Sequence, residues 1–113
     1  MNYTKEQVVE IVKEAKQAAR QAADAYFQEK LGGVDQYACG FAWVEIFGIK
    51  GNTKMGKTLK AAGITQNYNK AFSIWNPSEH NCQNIDTKEA GAYAAQKVLE
   101  KYGFRAYAGS RLD

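Results

Sequence analysis

With 113 residues, 45% of them hydrophobic and 24% charged, the chain has the length and balance of one globular domain, which excludes bulk disorder. No apolar run approaches the roughly 18 residues that cross a bilayer, and Met1 to Glu14 mixes charge with valine and isoleucine where a secretory signal would be uninterrupted. Cys39 and Cys82 lie far apart without a C-x-x-C pair, so free thiols, no membrane association and a cytoplasmic location are expected. The net charge of +3 is local. Residues 1–33 and 74–113 are each balanced, and the excess comes from Lys50, Lys54, Lys57, Lys60 and Lys70 against Asp35 and Glu45.

Thr4-Lys5-Glu6-Gln7 has the form of a capping box. Val8, Val12, Ala15, Ala19, Ala22 and Tyr26 then recur at helical spacing, flanked by Ile11, Ala18, Ala25 and Leu31, and Gly32-Gly33 supplies a stop. A helix over residues 5–31 is about 40 Å long, against a radius of gyration of about 13 Å for a domain of this size. It is therefore expected to overhang its own domain unless something else, such as a second copy, packs on it.

Tyr37 to Ile49 alternates between an aromatic face (Tyr37, Cys39, Phe41, Trp43, Glu45, Phe47, Ile49) and a small-residue face (Ala38, Gly40, Ala42, Val44, Ile46, Gly48). Neither face looks built for water, so both are expected to be covered. Gly51-Asn52-Thr53 makes a turn and cap ahead of a short basic helix over 54–62, closed by Gly63. Ala71–Asn76 reads as a strand, Pro77–His80 as a turn and Asn81–Ile85 as a weak returning strand. Asp86 or Thr87 caps a further helix with Ala90, Tyr93, Ala94, Val98 and Leu99 as its apolar stripe. After Gly103, Phe104–Gly109 forms the last strand. The order after the first helix is strand, helix, strand, strand, helix, strand. The fold expected is α+β: a long N-terminal helix (1–33) followed by a ferredoxin-like βαββαβ unit (37–113) with an antiparallel sheet, all in one domain.

The clearest chemical lead is the lysine cluster. Lys54, Lys57 and Lys60 recur every three residues along a helix side, placed to track phosphates, with Tyr68 or Trp75 near enough to stack on a base. The bland reading is that they solvate a helix whose other face is Met55, Leu59 and Ala62. Gly51, Gly56, Lys57 and Thr58 also meet the G-x-x-x-x-G-K-T pattern between a strand and a helix. A P-loop enzyme, however, needs a parallel sheet and a second acidic strand for magnesium, and no apolar run ending in aspartate supplies one. Anion binding at a glycine-flanked helix start is favoured over nucleotide hydrolysis.

Gly40–Ile46 superficially follows the string of an RNA-recognition motif. It lacks the preceding basic residue, has Trp43 and Ile46 at the two later aromatic positions and lies on the first strand, not the third, so its aromatics are assigned to core packing. Cys39, His80 and Cys82 offer only an H-x-C spacing, too weak for a metal or thiol–imidazole site. Glu45 is expected to be partly buried and satisfied by a partner such as Lys, Arg or Tyr, which is favoured over an acid–base role. Arg111, in the terminal Gly109-Ser110-Arg111-Leu112-Asp113, either pins the chain end or meets a ligand.

Ala38-Cys39-Gly40-Phe41-Ala42-Trp43-Val44, Trp75-Asn76-Pro77, Lys88-Glu89-Ala90-Gly91-Ala92 and the block from Ala106 to Asp113 resemble a group of small proteins of tailed bacteriophages, including marine ones. The likeness spans residues 37–113 and implies expression in the cytoplasm of an infected bacterium. It brings no activity and no functional residue with it.

The resulting expectation is a non-catalytic binding or interaction protein, homodimeric through its first helix, with no cofactor and no metal. Its ligand is anionic or a nucleic acid, held by Gly51, Lys54, Gly56, Lys57, Thr58, Lys60, Tyr68 and Arg111. The alternative is a small nucleotide-binding protein or enzyme that uses the Gly51–Thr58 loop.

Overall fold

The computed structural model describes residues 1–113. In chain order the elements are α1 (Lys5–Leu31), β1 (Gly40–Phe47), α2 (Lys54–Ala61), β2 (Thr65–Gln66), β3 (Phe72–Trp75), α3 (Ile85–Lys101) and β4 (Arg105–Leu112). The class is α+β. The four strands form one sheet in the order β2-β3-β1-β4, with every neighbouring pair antiparallel.

α1 begins as its sequence dictates. The Thr4 hydroxyl accepts from the Gln7 amide at 3.1 Å, and the Gln7 side chain accepts from the Thr4 amide at 2.8 Å. Gly32 ends the helix in the left-handed conformation, at φ 64°. Its buried residues are Val8, Ile11, Ala15, Ala19, Ala23 and Leu31, so the inward face is turned slightly from the stripe through Ala22 and Tyr26. Three alanines at four-residue spacing give a smooth ridge, and α3 answers with Gly91. A Cβ built there would lie 3.1 Å from the Ala19 carbonyl oxygen and 2.7 Å from the Ser78 side chain. The two helices lie against one another along α3, in a molecule measuring 44 × 25 × 18 Å.

The same chain holds both ends of α1. Near its N-terminus the Tyr3 hydroxyl donates to the Tyr102 carbonyl at 2.7 Å, and Glu14 accepts from Lys101 and Tyr102. Near its C-terminus Asp24 pairs with His80 at 3.4 Å. The expected overhang is absent, so the helix's length gives no argument for a second copy. The hydrogen bonds from Lys101 and then Tyr102 hold the Glu14 carboxyl below its ordinary value. A lowered folded-state pKa means that this contribution to stability is complete above the normal carboxylate range and is lost as pH falls through the lowered value.

β1 organises the rest. Gly40, Ala42, Val44 and Ile46 are buried, alternating with Phe41, Trp43 and Glu45, which are not. The small face joins Phe72, Ile74 and Ala106 of the neighbouring strands beneath residues of α1 and α3, with Leu59 of α2 completing the core. Both helices therefore lie on one side of the sheet. The expectation that both faces are covered is corrected: α1 packs beside α3 rather than across the aromatic face.

Two further expectations are corrected. Asn81–Ile85 is not a strand; it contributes a single bridge, Cys39 to Asn84. The strand that the sequence hides is Thr65–Gln66. α3 starts two or three residues earlier than Asp86 or Thr87 would place it, capped by Asn84, and it buries Ile85, Thr87, Lys88, Gly91, Ala92, Ala95 and Leu99 while Tyr93 is exposed.

Asn84 is the polar hub of this arrangement. Fully buried, it accepts from the Thr87 amide and hydroxyl, both at 2.8 Å. It donates to the carbonyls of Gln36 at 3.0 Å and Ala38 at 3.3 Å. The Asp35 carboxylate receives the amides of Gln83 at 2.8 Å and Asn84 at 3.1 Å. One side chain thus ties the entry to β1 to the start of α3. Asn84→Ala removes a helix cap and the donors to the Gln36 and Ala38 carbonyls, the second of which keeps the Ile85 amide, a loss of about 1–3 kcal/mol. Urea denaturation is expected to show that loss, and a change below about 0.5 kcal/mol would contradict the assigned role.

Candidate functional site

β1 ends at Phe47, and the chain turns through Gly48-Ile49-Lys50-Gly51-Asn52 into α2. This turn, the side of α2 carrying Lys57 and Lys60, and the connection Gln66–Lys70 between β2 and β3 enclose an open cleft of about 1070 Å³. Lys50, Lys57, Lys60 and Lys70 line it, with no carboxylate among the lining residues. None of these lysines is ion-paired; the molecule's salt bridges are Lys16–Glu79, His80–Asp24 and Lys101–Glu14.

Local structure explains the convergence. A Cβ at Gly51 would sit 2.8 Å from the Lys60 ammonium and 2.6 Å from the Gln66 amide oxygen, so the missing side chain is what lets Lys60 fold over the turn. Gly56 is buried beneath the cleft; a Cβ there would lie 2.1 Å from the Lys50 carbonyl oxygen, and its absence lets α2 rest on the turn backbone. Lys70 holds φ 65°, a conformation uncommon for a side chain of this kind. Asn67 supports it with an Asx turn, its side-chain oxygen accepting from the amides of Asn69 and Ala71, both at 3.0 Å.

Of the residues expected at a ligand site, Gly51, Lys57, Lys60 and Tyr68 meet in the cleft, and Tyr68 is almost wholly exposed. Lys54 is exposed on α2 but does not line it, and Arg111 lies on β4 opposite Phe41. The Thr58 hydroxyl donates to the Lys54 carbonyl at 2.9 Å. The Gly56 amide donates to the Thr53 hydroxyl at 3.1 Å, and the Lys57 amide to the Thr53 carbonyl at 2.9 Å. The amides of Thr53, Gly56 and Lys57 are thus engaged within the chain, those of Asn52, Lys54 and Met55 are not, and the sheet is antiparallel. The geometry of a P-loop, in which free amides cradle phosphates beside a parallel sheet, is not formed. What the cleft offers to a ligand is side-chain ammonium groups.

Beside the cleft lies the uncovered face of the sheet. Phe41, Trp43, Glu45 and Phe47 of β1 share it with Trp75 of β3 and with Arg105, Tyr107, Gly109 and Arg111 of β4, following the strand register. Trp43 and Trp75 lie parallel, 3° between planes and 5.6 Å between centroids. Gly109 makes room for this, since a Cβ there would stand 2.6 Å from the Trp43 indole nitrogen. Trp75 is 56% exposed and Tyr107 55%. Assignment of these aromatics to the core is therefore corrected: β1's alternation is real, but its aromatic side faces outward. Glu45 is half-buried and satisfied, but by neutral donors and not by a Lys, Arg or Tyr: it accepts from the Trp43 indole and from the Asn67 amide, both at 2.8 Å.

The cysteines do not build a site. Cys39 is exposed and Cys82 buried, and no group of three or more potential ligands is placed to hold a metal. Burial, and next the Asp35 carboxylate, push the Cys82 thiol up, away from the thiolate that nucleophilic chemistry needs. The His80 Nδ1 accepts from the Cys82 amide at 3.2 Å, which makes the H-x-C spacing a turn contact. No helix is long and apolar enough to cross a membrane.

Comparison with known proteins finds no matching family model, no similar curated protein and no similar solved structure.

The tight seat of Gly56 gives a direct test of how the cleft is held. Gly56→Ala drives a methyl into the Lys50 carbonyl, and overpacking of this kind costs about 1–3 kcal/mol. A lowered urea midpoint is expected, together with altered backbone chemical shifts at Lys50 and Gly51; an unchanged midpoint with unchanged shifts contradicts the contact.

Proposed function

We propose that this is a non-catalytic binding protein that takes a phosphate-bearing ligand in the cleft between Lys50 and Lys70. One observation carries the reading: four ammonium groups from three chain segments surround a concave site with no acid in its lining and no ion pair of their own. Unpaired like charges repel, and an anion bound between them relieves that repulsion. The positive φ at Lys70 adds support, because a strained backbone that keeps a lysine where glycine would fit better points to a use for the charge.

The strand order and antiparallel pairing support reading residues 40–112 as a ferredoxin-like βαββαβ unit. The resemblance of residues 37–113 to tailed-phage proteins supports placing the binding event in the cytoplasm of an infected bacterium. A nucleotide-hydrolysing role for the Gly51–Thr58 loop draws no support from the engaged amides of Gly56 and Lys57.

Calorimetric titration with inorganic tripolyphosphate tests the proposal. Exposed ammonium–anion pairs are worth about 1 kcal/mol or less each, so Lys57→Ala and Lys60→Ala should each weaken binding by about three- to fivefold. Affinity should also fall as salt rises. Lys54→Ala, outside the cleft, should change little. Lys70→Gly should weaken binding while keeping or raising the melting temperature, because glycine is at ease at that φ. Equal loss from Lys54→Ala and from the cleft variants, or no binding at low salt, would overturn the assignment.

A further inference from the structure

We infer that the open face of the sheet is a base-stacking platform, and that the phosphate-bearing ligand is single-stranded nucleic acid, seated with its backbone in the lysine cleft and its bases on Phe47, Tyr107 and Trp75. This rests on the anion-binding reading of the cleft and names the ligand class.

Three observations lead to it. The first is exposure. Trp75 and Tyr107 are each more than half exposed on a face that no helix covers. Large aromatic rings left in water on an open sheet face need a partner that is apolar on its faces.

The second is geometry. Phe47 and Tyr107 meet edge-on at 5.6 Å between centroids, while Trp43 and Trp75 lie parallel at the same separation. Gly109 opens the space in which the Trp43 indole lies across β4. Rings fixed on strands form a rigid array of exposed aromatic surface. Unpaired bases, whose π-faces are free, stack on such a surface; bases inside a duplex are already stacked on one another.

The third is charge, which selects among occupants. Arg105 sits at the border between the two features, its guanidinium beside Gly48, and Gly48 itself lines the cleft. Arg111 stands over the Phe41 ring at 5.3 Å at the far end of β1. The platform therefore runs between two arginines and opens at one end into four lysines. The carboxylate at its centre, Glu45, already accepts hydrogen bonds on both oxygens and, through Asn67, braces the wall of the cleft. A second copy laid face to face would bring these arginines towards one another. A polyanion with exposed ring faces matches both the charge and the apolar surface.

The test compares a fluorescein-labelled twelve-nucleotide oligo(dT) with an abasic oligomer of the same length, by fluorescence anisotropy on the full chain at low salt. Wild type should bind oligo(dT) more tightly than the abasic strand and should show quenched tryptophan emission. Trp75→Ala and, separately, Tyr107→Ala should weaken oligo(dT) binding by about 5- to 150-fold and leave the abasic strand unaffected. Both side chains are exposed enough to be removed with the fold intact, which a melting curve verifies. Equal affinity for the two oligomers, or unchanged oligo(dT) binding in both variants, overturns the platform while leaving the cleft in place. If the aromatic variants weaken binding but Lys57→Ala and Lys60→Ala do not, the platform stands and the cleft reading fails. A concentration-dependent dimer in sedimentation that Trp75→Ala dissolves, with no effect on oligonucleotide affinity, identifies the face as a self-interface and also overturns the proposal.

Discussion

The structure depends on the two-sidedness of β1. Gly40, Ala42, Val44 and Ile46 form a buried face with no polar atoms beyond the backbone, while the larger rings stand on the opposite side of the strand. The small side chains admit helices closely. Once α3 is seated there by Asn84 and α1 is drawn against Gly91, the aromatic side is left with no element to cover it. The covered and open faces are thus one fact about an alternating strand, not two independent features.

The cleft follows from the same strand at its far end. Where β1 stops, Gly48 and Gly51 turn the chain sharply, and Gly56 lets α2 press onto that turn. Lys50, Lys57 and Lys60 then project from a short stretch of chain, and the Asx turn at Asn67 brings Lys70 to face them. The Asn67–Glu45 hydrogen bond joins this wall to the sheet. Ion pairs occur elsewhere, on α1 and α3, so the local excess of positive charge is left uncompensated where the surface is concave.

Much of the fold is legible in the sequence wherever the controlling physics is local. The capping box at Thr4, the stop at Gly32 and the alternation of β1 each depend on neighbours within a few residues, and each is seen in the structure. The failures have a common cause in distant partners. Thr65–Gln66 is too short to carry a period and is a strand only because β3 lies beside it. Asn81–Ile85 is weak strand material, and its polar groups belong to Asp35, Gln36 and Ala38, some 46 to 49 residues away. The face of α3 was obscured by its many alanines, and it is set by Gly91 and by Lys88, whose ammonium donates to the Gly40 carbonyl at 2.9 Å. At the candidate site, charge counting located the lysines, but which of them converge depends on the turn at Lys70. The outward aspect of the aromatic face carries no local signal, because Phe and Trp at alternate positions suit burial equally well.

The most direct test of this account is the relative accessibility of the two sides of β1. In NMR spectra recorded with a neutral, soluble gadolinium chelate, the ring protons of Trp75, Phe47 and Tyr107 should broaden strongly, whereas the methyl groups of Ala42, Val44 and Ile46 should be nearly unaffected. Trp75 and Tyr107 protected to the same degree as those methyls would show that the aromatic face is covered, and the account would fail at its central point.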